Sequence, residues 1–362
     1  MKKVAVLSYS NSNNLGDPIQ SLAAKALLGQ AADLEMDRDH LDTYTGSARG
    51  IVLNGWFMDK PEHWPPAVQL DPLFISFHLN PTAEKKMTRP DGIAYFKKHE
   101  PIGCRDLYTQ KTLEQKGIKT YYSACLTLSL QRNVIVPPQT PRKGILALSC
   151  LERMLPEVNF DQGISPKGLL STAIQVLKFP SKYVKYKKAQ QRLRAFLQHQ
   201  NQPITYRSQR IPKILEDGAQ FKALALDQLK AIATAEYVIT SRIHTALPAV
   251  ALGTPVILLS DGLEHPQSME SNGRDGAVFS NPFYARFKDF FFESLTPRKG
   301  ASALCGFTKG KNNGFFKKTR GAGLNNLLYL SSHKNKFHEY TRRWSRWART
   351  HFLLEIGTKP AL

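Results

Sequence analysis

The chain has 362 residues, of which 42% are hydrophobic and 22% charged, a composition that excludes disordered, collagenous and disulfide-framed proteins. One hydrophobic core rarely serves more than about 250–300 residues, so the length predicts two compact domains. The net charge of +21 lies in two blocks: residues 162–215 hold 11 basic and no acidic residues, and residues 285–362 hold 16 and 4.

The first part of the chain alternates short apolar runs with helical patterns, as expected for a mainly parallel sheet of βαβ units. These patterns predict strands over residues 4–9, 50–53 and 73–77 and from Tyr121, and helices over 18–28 and 106–116. The run from Pro137 to Pro141 is a predicted linker. It divides an N-terminal Rossmann-like, acceptor-side domain, residues 1–136, from a donor-binding one, residues 137–284.

The second domain repeats the pattern after the linker. Its predicted strands are 144–149, 203–206, 237–240 and 255–259, and its predicted helices are 183–199, 226–235 and 245–252. The basic block 162–215 is interpreted as a helical insertion. Residues 285–362 form a basic, aromatic-containing extension. Residues 340–354 there fit either an amphipathic helix at a membrane interface or a helix packed on the second domain.

Two basic blocks outside a near-neutral remainder fit an anionic membrane surface or an acidic polymer at least as well as nucleic acid. A solvated basic face without a specific partner is the alternative. The four cysteines are too dispersed for a zinc site or a disulfide framework. No segment resembles a signal peptide or approaches the roughly 20 apolar residues of a membrane span. We therefore expect a cytoplasmic protein, with peripheral contact at the inner membrane face left open and no nucleic-acid partner.

The strongest local signal is a buried strand that ends at Thr240 and leads directly into a helix. The turn from Ser241 to His244 then lies at the carboxyl end of a strand, where open α/β sheets bind ligands. A helix N-terminus attracts anions, Arg242 offers a fork for a carboxylate or phosphate, and His244 can donate a proton near neutral pH. The alternative is a surface arginine beside a structural histidine.

A second signal is the loop that follows the first strand. Gly16 permits a tight turn, Asn14 tolerates a left-handed backbone, and Asp17 is the predicted helix cap with Pro18 as the first helical residue. Such loops are also ordinary structure, so this one is weak support for a site by itself. Arg105 lies at another strand-to-helix junction, where a structural pair with the neighbouring aspartate is the alternative.

Two further loops suit a carbohydrate. Asn54 with Trp56, and His78 with Asn80, are each predicted just beyond a strand. Amide and imidazole groups beside an aromatic face are suited to a sugar acceptor, although Trp56 is equally suited to packing.

Taken in chain order, these segments resemble the polysaccharide pyruvyl transferase family. The motifs are Asn14-x-Gly16-Asp17, Asn54-Gly55-Trp56, Gly103-x-Arg105-Asp106, Ser123-x-Cys125-Leu126-Thr127-Leu128, and Ser241-Arg242-x-His244 followed by Gly253-Thr254-Pro255. The resemblance covers about residues 4–130 and 220–280. It leaves out both basic blocks.

The resemblance implies an α/β fold with two Rossmann-like domains facing across a cleft, similar to glycosyltransferase B, here with a basic helical insertion and a basic C-terminal tail. It also implies transfer of pyruvate from phosphoenolpyruvate to a sugar as a ketal, in the synthesis of an exopolysaccharide, capsule or other cell-surface glycan. Arg242 and His244 match the catalytic Arg-x-His. We expect Ser241, Arg105, Asn14, Gly16 and Asp17 to bind the donor with Arg242.

The chemistry agrees with these roles. Phosphoenolpyruvate carries a phosphate and a carboxylate, which two cationic anchors can bind, and its methylene carbon needs a proton, for which His244 is the candidate acid. We expect no metal and no resident cofactor. A nucleotide-sugar-dependent glycosyltransferase on the same fold, with Arg242 on the diphosphate, and a non-catalytic module for an acidic polymer are the alternatives. The acceptor is a sugar or a lipid-linked oligosaccharide.

Overall fold

The computed structural model describes residues 4–154 and 166–259 together with the short strand Phe292–Glu293. The side chains of residues 166–178 are outside this description, and so is the helix predicted over residues 340–354.

The first part of the chain forms a parallel six-stranded sheet in the order β2-β1-β3-β4-β5-β6. Its strands are β1 Val4–Ser8, β2 Ala32–Asp37, β3 Arg49–Phe57, β4 Leu70–Leu79, β5 Ile102–Cys104 and β6 Thr120–Tyr122. Its helices are α1 Gly16–Leu28, α2 Pro81–Met87, α3 Pro90–Lys98, α4 Leu107–Glu114 and the short α5 Arg132–Ile135.

The second part forms a parallel five-stranded sheet in the order β11-β10-β9-β7-β8. Its strands are β7 Ile145–Leu148, β8 Ile204–Arg207, β9 Tyr237–Thr240, β10 Val256–Leu259 and β11 Phe292–Glu293. Its helices are α6 Pro166–Gln198, α7 Gly218–Thr234 and α8 Ile243–Ala251. The expected mixed α/β architecture with two parallel sheets is confirmed. No helix in the described part of the chain is long and apolar enough to cross a bilayer.

One continuous apolar cluster joins the two sheets. It contains Val6 and Ile19 from β1 and α1, Leu229 from α7, and Val238 and Ala249 from β9 and α8, all of them buried. Burial of apolar surface is the main stabilising contribution to a fold of this size, and here it also holds α1 against the helices of the second sheet. The 3-10 turn Leu126–Ser129, which follows β6, packs against both α1 and α8.

The predicted linker is also anchored. Arg132 donates to the carbonyl oxygen of Pro138 at 3.1 Å and to that of Ala233, in the last turn of α7, at 3.1 Å. Arg142 donates to the carbonyl oxygen of Leu252, at the end of α8, at 2.8 Å. Arginine side chains interact favourably with the last carbonyl groups of helices, because those groups carry partial negative charge.

Two local predictions are wrong. Helix α1 begins at Gly16, its cap position is Leu15, and Asp17 therefore lies inside the first turn rather than at the cap. The reason is that the side-chain oxygen of Asn14 accepts a hydrogen bond from the Gly16 N–H at 3.1 Å, which starts the helix early.

The second error concerns the predicted acceptor loops. Asn54, Trp56 and His78 lie inside β3 and β4 rather than beyond them. A register shift between Leu53 and Gly55 lets the two strands keep pairing up to Phe57 and Leu79.

Candidate functional site

Each sheet has one point at which the chain departs in opposite directions from adjacent strands. In the first sheet, β1 lies between β2 and β3, and in the second, β7 lies between β8 and β9. The carboxyl ends of strands beside such a switch point form the crevice where open α/β sheets bind ligands. The polar side chains of the candidate site follow these strands.

At the switch point of the second sheet, Glu152 and Arg242 form an ion pair of 2.9 Å. Glu152 also accepts hydrogen bonds from the hydroxyl groups of Ser149 and Ser208, both at 2.7 Å. Burial would raise the pKa of Glu152, but these hydroxyl groups and the Arg242 charge lower it below the ordinary value. Glu152 is therefore ionised at neutral pH and orients the guanidinium that the sequence predicted as an anion anchor.

Ser149 and Ser241 fasten the ends of β7 and β9 together. The Ser241 hydroxyl donates to the Ser149 carbonyl oxygen at 2.6 Å, and both residues are buried. Ser149 has a left-handed backbone with φ of 48°, a conformation that costs energy for a residue other than glycine and is often found at functional sites. The predicted donor-binding residue Ser241 thus uses its hydroxyl group to shape the crevice.

His244 is in the first turn of α8, and it meets the first residue of α1. A Cβ atom added to Gly16 would lie 2.8 Å from the His244 Cβ, 3.0 Å from its Nδ1 and 2.6 Å from the Gln209 Nε2. Only glycine permits this approach. The N-termini of α1 and α8 therefore meet, and each contributes the positive end of a helix dipole.

Gln209 connects the two helices at this contact. Its side-chain nitrogen donates to the Asn14 Oδ1 at 2.8 Å, and its side-chain oxygen accepts from the Thr245 hydroxyl at 2.6 Å. The Leu15 N–H donates to the Gln209 carbonyl oxygen at 2.8 Å. Because Gln209 is buried, loss of these bonds would leave polar groups unsatisfied.

At the switch point of the first sheet, the Arg38 guanidinium lies between two aromatic rings. Its Cζ is 5.1 Å from the centre of the Tyr9 ring and 4.9 Å from that of Trp56, and Arg38 also pairs with Asp39 and Asp59. Cation–π attraction and ion pairing together compensate for the burial of this charge. Trp56, predicted to face the acceptor, is thus held by Arg38.

Asp17 belongs to the same cluster as Arg38, and burial raises the pKa of the Asp17 carboxyl group. It accepts a hydrogen bond from the Ser12 hydroxyl at 2.6 Å, and the charges of Arg38 and Arg105 act on it electrostatically. Gly16 contacts His244 at the end of the second sheet, and the adjacent Asp17 interacts with Arg38 at the end of the first sheet. These two neighbouring residues therefore link the polar clusters of the two sheets.

Arg105 is buried at the end of β5 and donates to the Gln20 Oε1 at 3.3 Å. Asp106 caps α4 by accepting from the Thr109 N–H at 2.8 Å, and it also bonds the Nδ1 of His78. Burial would raise the pKa of Asp106, but the His78 charge and hydrogen bond, with Arg105, lower it.

The remaining acceptor candidates are less accessible than their sequence positions suggested. Asn54 and His78 have 0% of their surface exposed, so neither touches solvent in this structure. Asn80 caps α2, accepting from the Thr82 N–H at 3.3 Å. Trp56 is partly exposed.

Sequence reasoning missed Tyr9, Gln20, Arg38, Glu152 and Gln209. Four of these follow the carboxyl ends of strands: Tyr9 follows β1, Arg38 follows β2, Glu152 follows β7 and Gln209 follows β8. The rule that ligands bind beyond strand ends could have identified those four. Gln20 lies within α1, where its local sequence carries no such signal.

The fold and these polar strand ends define a doubly wound α/β protein, a class that binds ligands at the carboxyl edge of its sheets. The chain belongs to the polysaccharide pyruvyl transferase family, whose model matches residues 75–262, just over half of the chain. It is thus a transferase. The match spans the basic block 162–215, and it begins after Asn14, Gly16 and Asp17.

Among solved structures, the chain is similar to a functionally uncharacterised protein from Klebsiella pneumoniae. The TM-score is 0.41 at 10% identity, over 80% of this chain and 92% of that chain. No curated protein matches the chain significantly.

We predict that Gly16→Ala impairs both stability and activity, because the new methyl group would overlap Gln209 and His244. Overpacking of this kind costs about 1–3 kcal/mol. The matched control is Gly218→Ala at the start of α7, where an added Cβ meets nothing within 4 Å. Urea unfolding of both variants tests this. A Gly16→Ala protein as stable and active as Gly218→Ala would show that the close approach is dispensable.

The pKa shift of Glu152 predicts a pH-dependent contribution to stability. A carboxyl group whose pKa is lowered by folding stabilises the protein above its ordinary value of 4.5, and that contribution is lost as the pH falls through the folded-state value. Glu152→Gln should therefore lower the free energy of unfolding by about 1–2 kcal/mol at pH 7. The deficit should shrink below pH about 4.5.

Urea unfolding at several pH values measures this deficit, with the exposed Glu216→Gln as control. A deficit that stayed constant with pH would rule out an ionic role for Glu152.

Proposed function

We propose that this chain transfers pyruvate from phosphoenolpyruvate to two hydroxyl groups of a sugar, forming a ketal and releasing phosphate, in the synthesis of a surface or exported polysaccharide on the cytoplasmic side. Membership of the polysaccharide pyruvyl transferase family supports pyruvyl transfer as the reaction. The observation that carries the choice of donor is the meeting of two helix N-termini at Gly16 and His244, beside Arg242.

This junction suits a small anion with more than one charged group. Two helix dipoles point their positive ends at one place, and Arg242 adds a guanidinium that Glu152 orients. Oriented guanidinium groups bind phosphate and carboxylate oxygens through paired hydrogen bonds. We assign the phosphate of the donor to Arg242 and the start of α8, with Asn14 and Gly16 shaping the opposite wall.

Arg105 is the second proposed anchor, for the carboxylate of the donor. It is buried in the first sheet, and its charge acts on Asp17, the residue next to Gly16. The two anchors thus come from different sheets, with the start of α1 between them. In this arrangement, which we propose to be similar to glycosyltransferase B, the second sheet supplies the phosphate site of the donor, and the first sheet supplies the carboxylate anchor and the acceptor site.

The reaction needs a proton at the methylene carbon of phosphoenolpyruvate. Protonation makes the neighbouring carbon electrophilic, and a sugar hydroxyl then forms a bond to it and loses its proton. A second hydroxyl attacks the same carbon as the bond to the phosphate oxygen breaks, which completes the ketal. His244 is the proposed acid. Asp17, whose pKa is raised by burial, is the proposed base for a hydroxyl proton.

The acceptor would lie at the switch point of the first sheet. Trp56 is partly exposed there, and the buried Tyr9 hydroxyl, Gln20 Nε2 and Asn54 Oδ1 have no hydrogen-bond partner among the described residues. An aromatic face is suited to a sugar ring, and the buried hydroxyl and amide groups would bind the acceptor only after they become accessible to it. His78 and Asn80 would support this surface indirectly through Asp106 and α2.

We predict that His244→Gln lowers the rate of phosphate release from phosphoenolpyruvate, with a panel of sugar acceptors, by about 10²–10⁴-fold. The apparent affinity for phosphoenolpyruvate should change little, because Arg242 and Arg105 remain. His199→Gln, at an exposed position after α6, is the matched control. Turnover of His244→Gln within threefold of the control would exclude His244 as the acid.

A further inference from the structure

Helix α6 is packed against the protein along its C-terminal half. Ala189, Leu193 and Leu197 are buried there, in a cluster with Ile145 of β7 and Ile239 of β9. This half of the helix therefore has a fixed position on the second sheet.

The preceding turns of the same helix expose apolar side chains instead. Phe179 is 42% exposed, Tyr183 40% and Val184 52%. Phe179 stacks on Tyr183 with ring centres 5.8 Å apart, and Tyr183 stacks on Tyr186 at 6.3 Å. A row of stacked rings continues the buried stripe into solvent, so it has the character of a contact surface.

Basic side chains surround these rings. Lys185, Lys187 and Lys188 are exposed, Lys182 is partly exposed, and the Lys187 ammonium lies 5.4 Å from the centre of the Tyr183 ring. No acidic residue occurs anywhere in residues 162–215, so this block cannot neutralise itself. The surface is apolar and positively charged at once. At 3.6 residues per turn, Phe179, Tyr183, Val184, Lys187 and Lys188 share one side of the helix, which we name the α6 face, and Lys182 and Lys185 lie just beyond its two edges.

We infer that the α6 face binds an anionic membrane surface, with the helix lying in the plane of the headgroups. Lysines gain from anionic lipid, tyrosine rings favour the interface, and aliphatic and phenyl groups gain by entering the acyl boundary. A nucleic acid would satisfy the lysines but would leave Val184 in water. Membrane binding by α6 does not depend on the proposed reaction. It would bring the protein to the membrane surface, where a lipid-linked acceptor would be found.

The test is co-sedimentation of the full chain with vesicles of phosphatidylcholine alone or with 30% phosphatidylglycerol, at low and high salt. Binding should require the anionic lipid and weaken as salt screens the charges. Each lysine near such a surface contributes about a fivefold factor, so replacing Lys182, Lys185, Lys187 and Lys188 by Gln should weaken binding at least about 100-fold.

Two further variants separate the contributions. Replacing Phe179, Tyr183 and Val184 by Ser keeps the charge and should weaken binding at least about tenfold, because the buried apolar area is lost. The matched control replaces four exposed lysines on and after helices α3 and α4, Lys97, Lys98, Lys111 and Lys119, by Gln, and should bind as the parent does.

Three results would overturn the inference. The first is equal binding to both kinds of vesicle, and the second is equal weakening in the α6 and control variants. The third is unchanged vesicle binding by the α6 lysine variant together with loss of binding to a single-stranded oligonucleotide. The rate of phosphate release from phosphoenolpyruvate with a soluble acceptor should be the same in the α6 variants and the parent. A failure of membrane binding is therefore distinguishable from a failure of the proposed reaction.

Discussion

The contact between Gly16 and His244 is the constraint on which the rest of the site depends. With an added Cβ only 2.8 Å from the His244 Cβ, any side chain at residue 16 would push α1 away from α8. Because α1 follows β1 and α8 follows β9, the contact brings the carboxyl edges of the two sheets together. The Gln209 side chain keeps them there through one hydrogen bond to each side, and the apolar cluster shared by the two sheets adds to the stability of this contact.

The charged side chains of the site lie beside side chains of opposite charge. Arg242 pairs with Glu152, Arg105 lies beside Asp106, and Arg38 pairs with two aspartates between two rings. Buried charges are tolerated only when paired and hydrogen-bonded, so these networks fix the side chains before any ligand arrives. Fixed cations and dipoles need no reorganisation when negative charge develops, and this is the property that makes such sites effective for transfer reactions.

Local sequence patterns predicted much of this arrangement. The strand–turn–helix around Ser241 to His244 was identified correctly, since a β-rich apolar run followed by a helix leaves its turn at a sheet edge. Other contacts of the site could not be predicted from local sequence patterns. Gln209 bonds Asn14 across 195 positions and Glu152 bonds Arg242 across 90, so only the fold brings them together. Strand β2, with its charged sequence ADLEMD, was missed, and Arg38 with it. The extension of β3 and β4 past the register shift moved Asn54 and His78 into buried positions.

The most direct measurement is the unfolding temperature of the protein with phosphoenolpyruvate or with UDP and GDP sugars. A ligand at 100 times its dissociation constant stabilises the folded state by about 2.7 kcal/mol. If the junction of α1 and α8 holds the donor, phosphoenolpyruvate raises the unfolding temperature of the parent, has less effect on Arg242→Ala, and nucleotide sugars have none. Stabilisation by a nucleotide sugar, with no response to phosphoenolpyruvate, would contradict pyruvyl transfer and make the chain a glycosyltransferase.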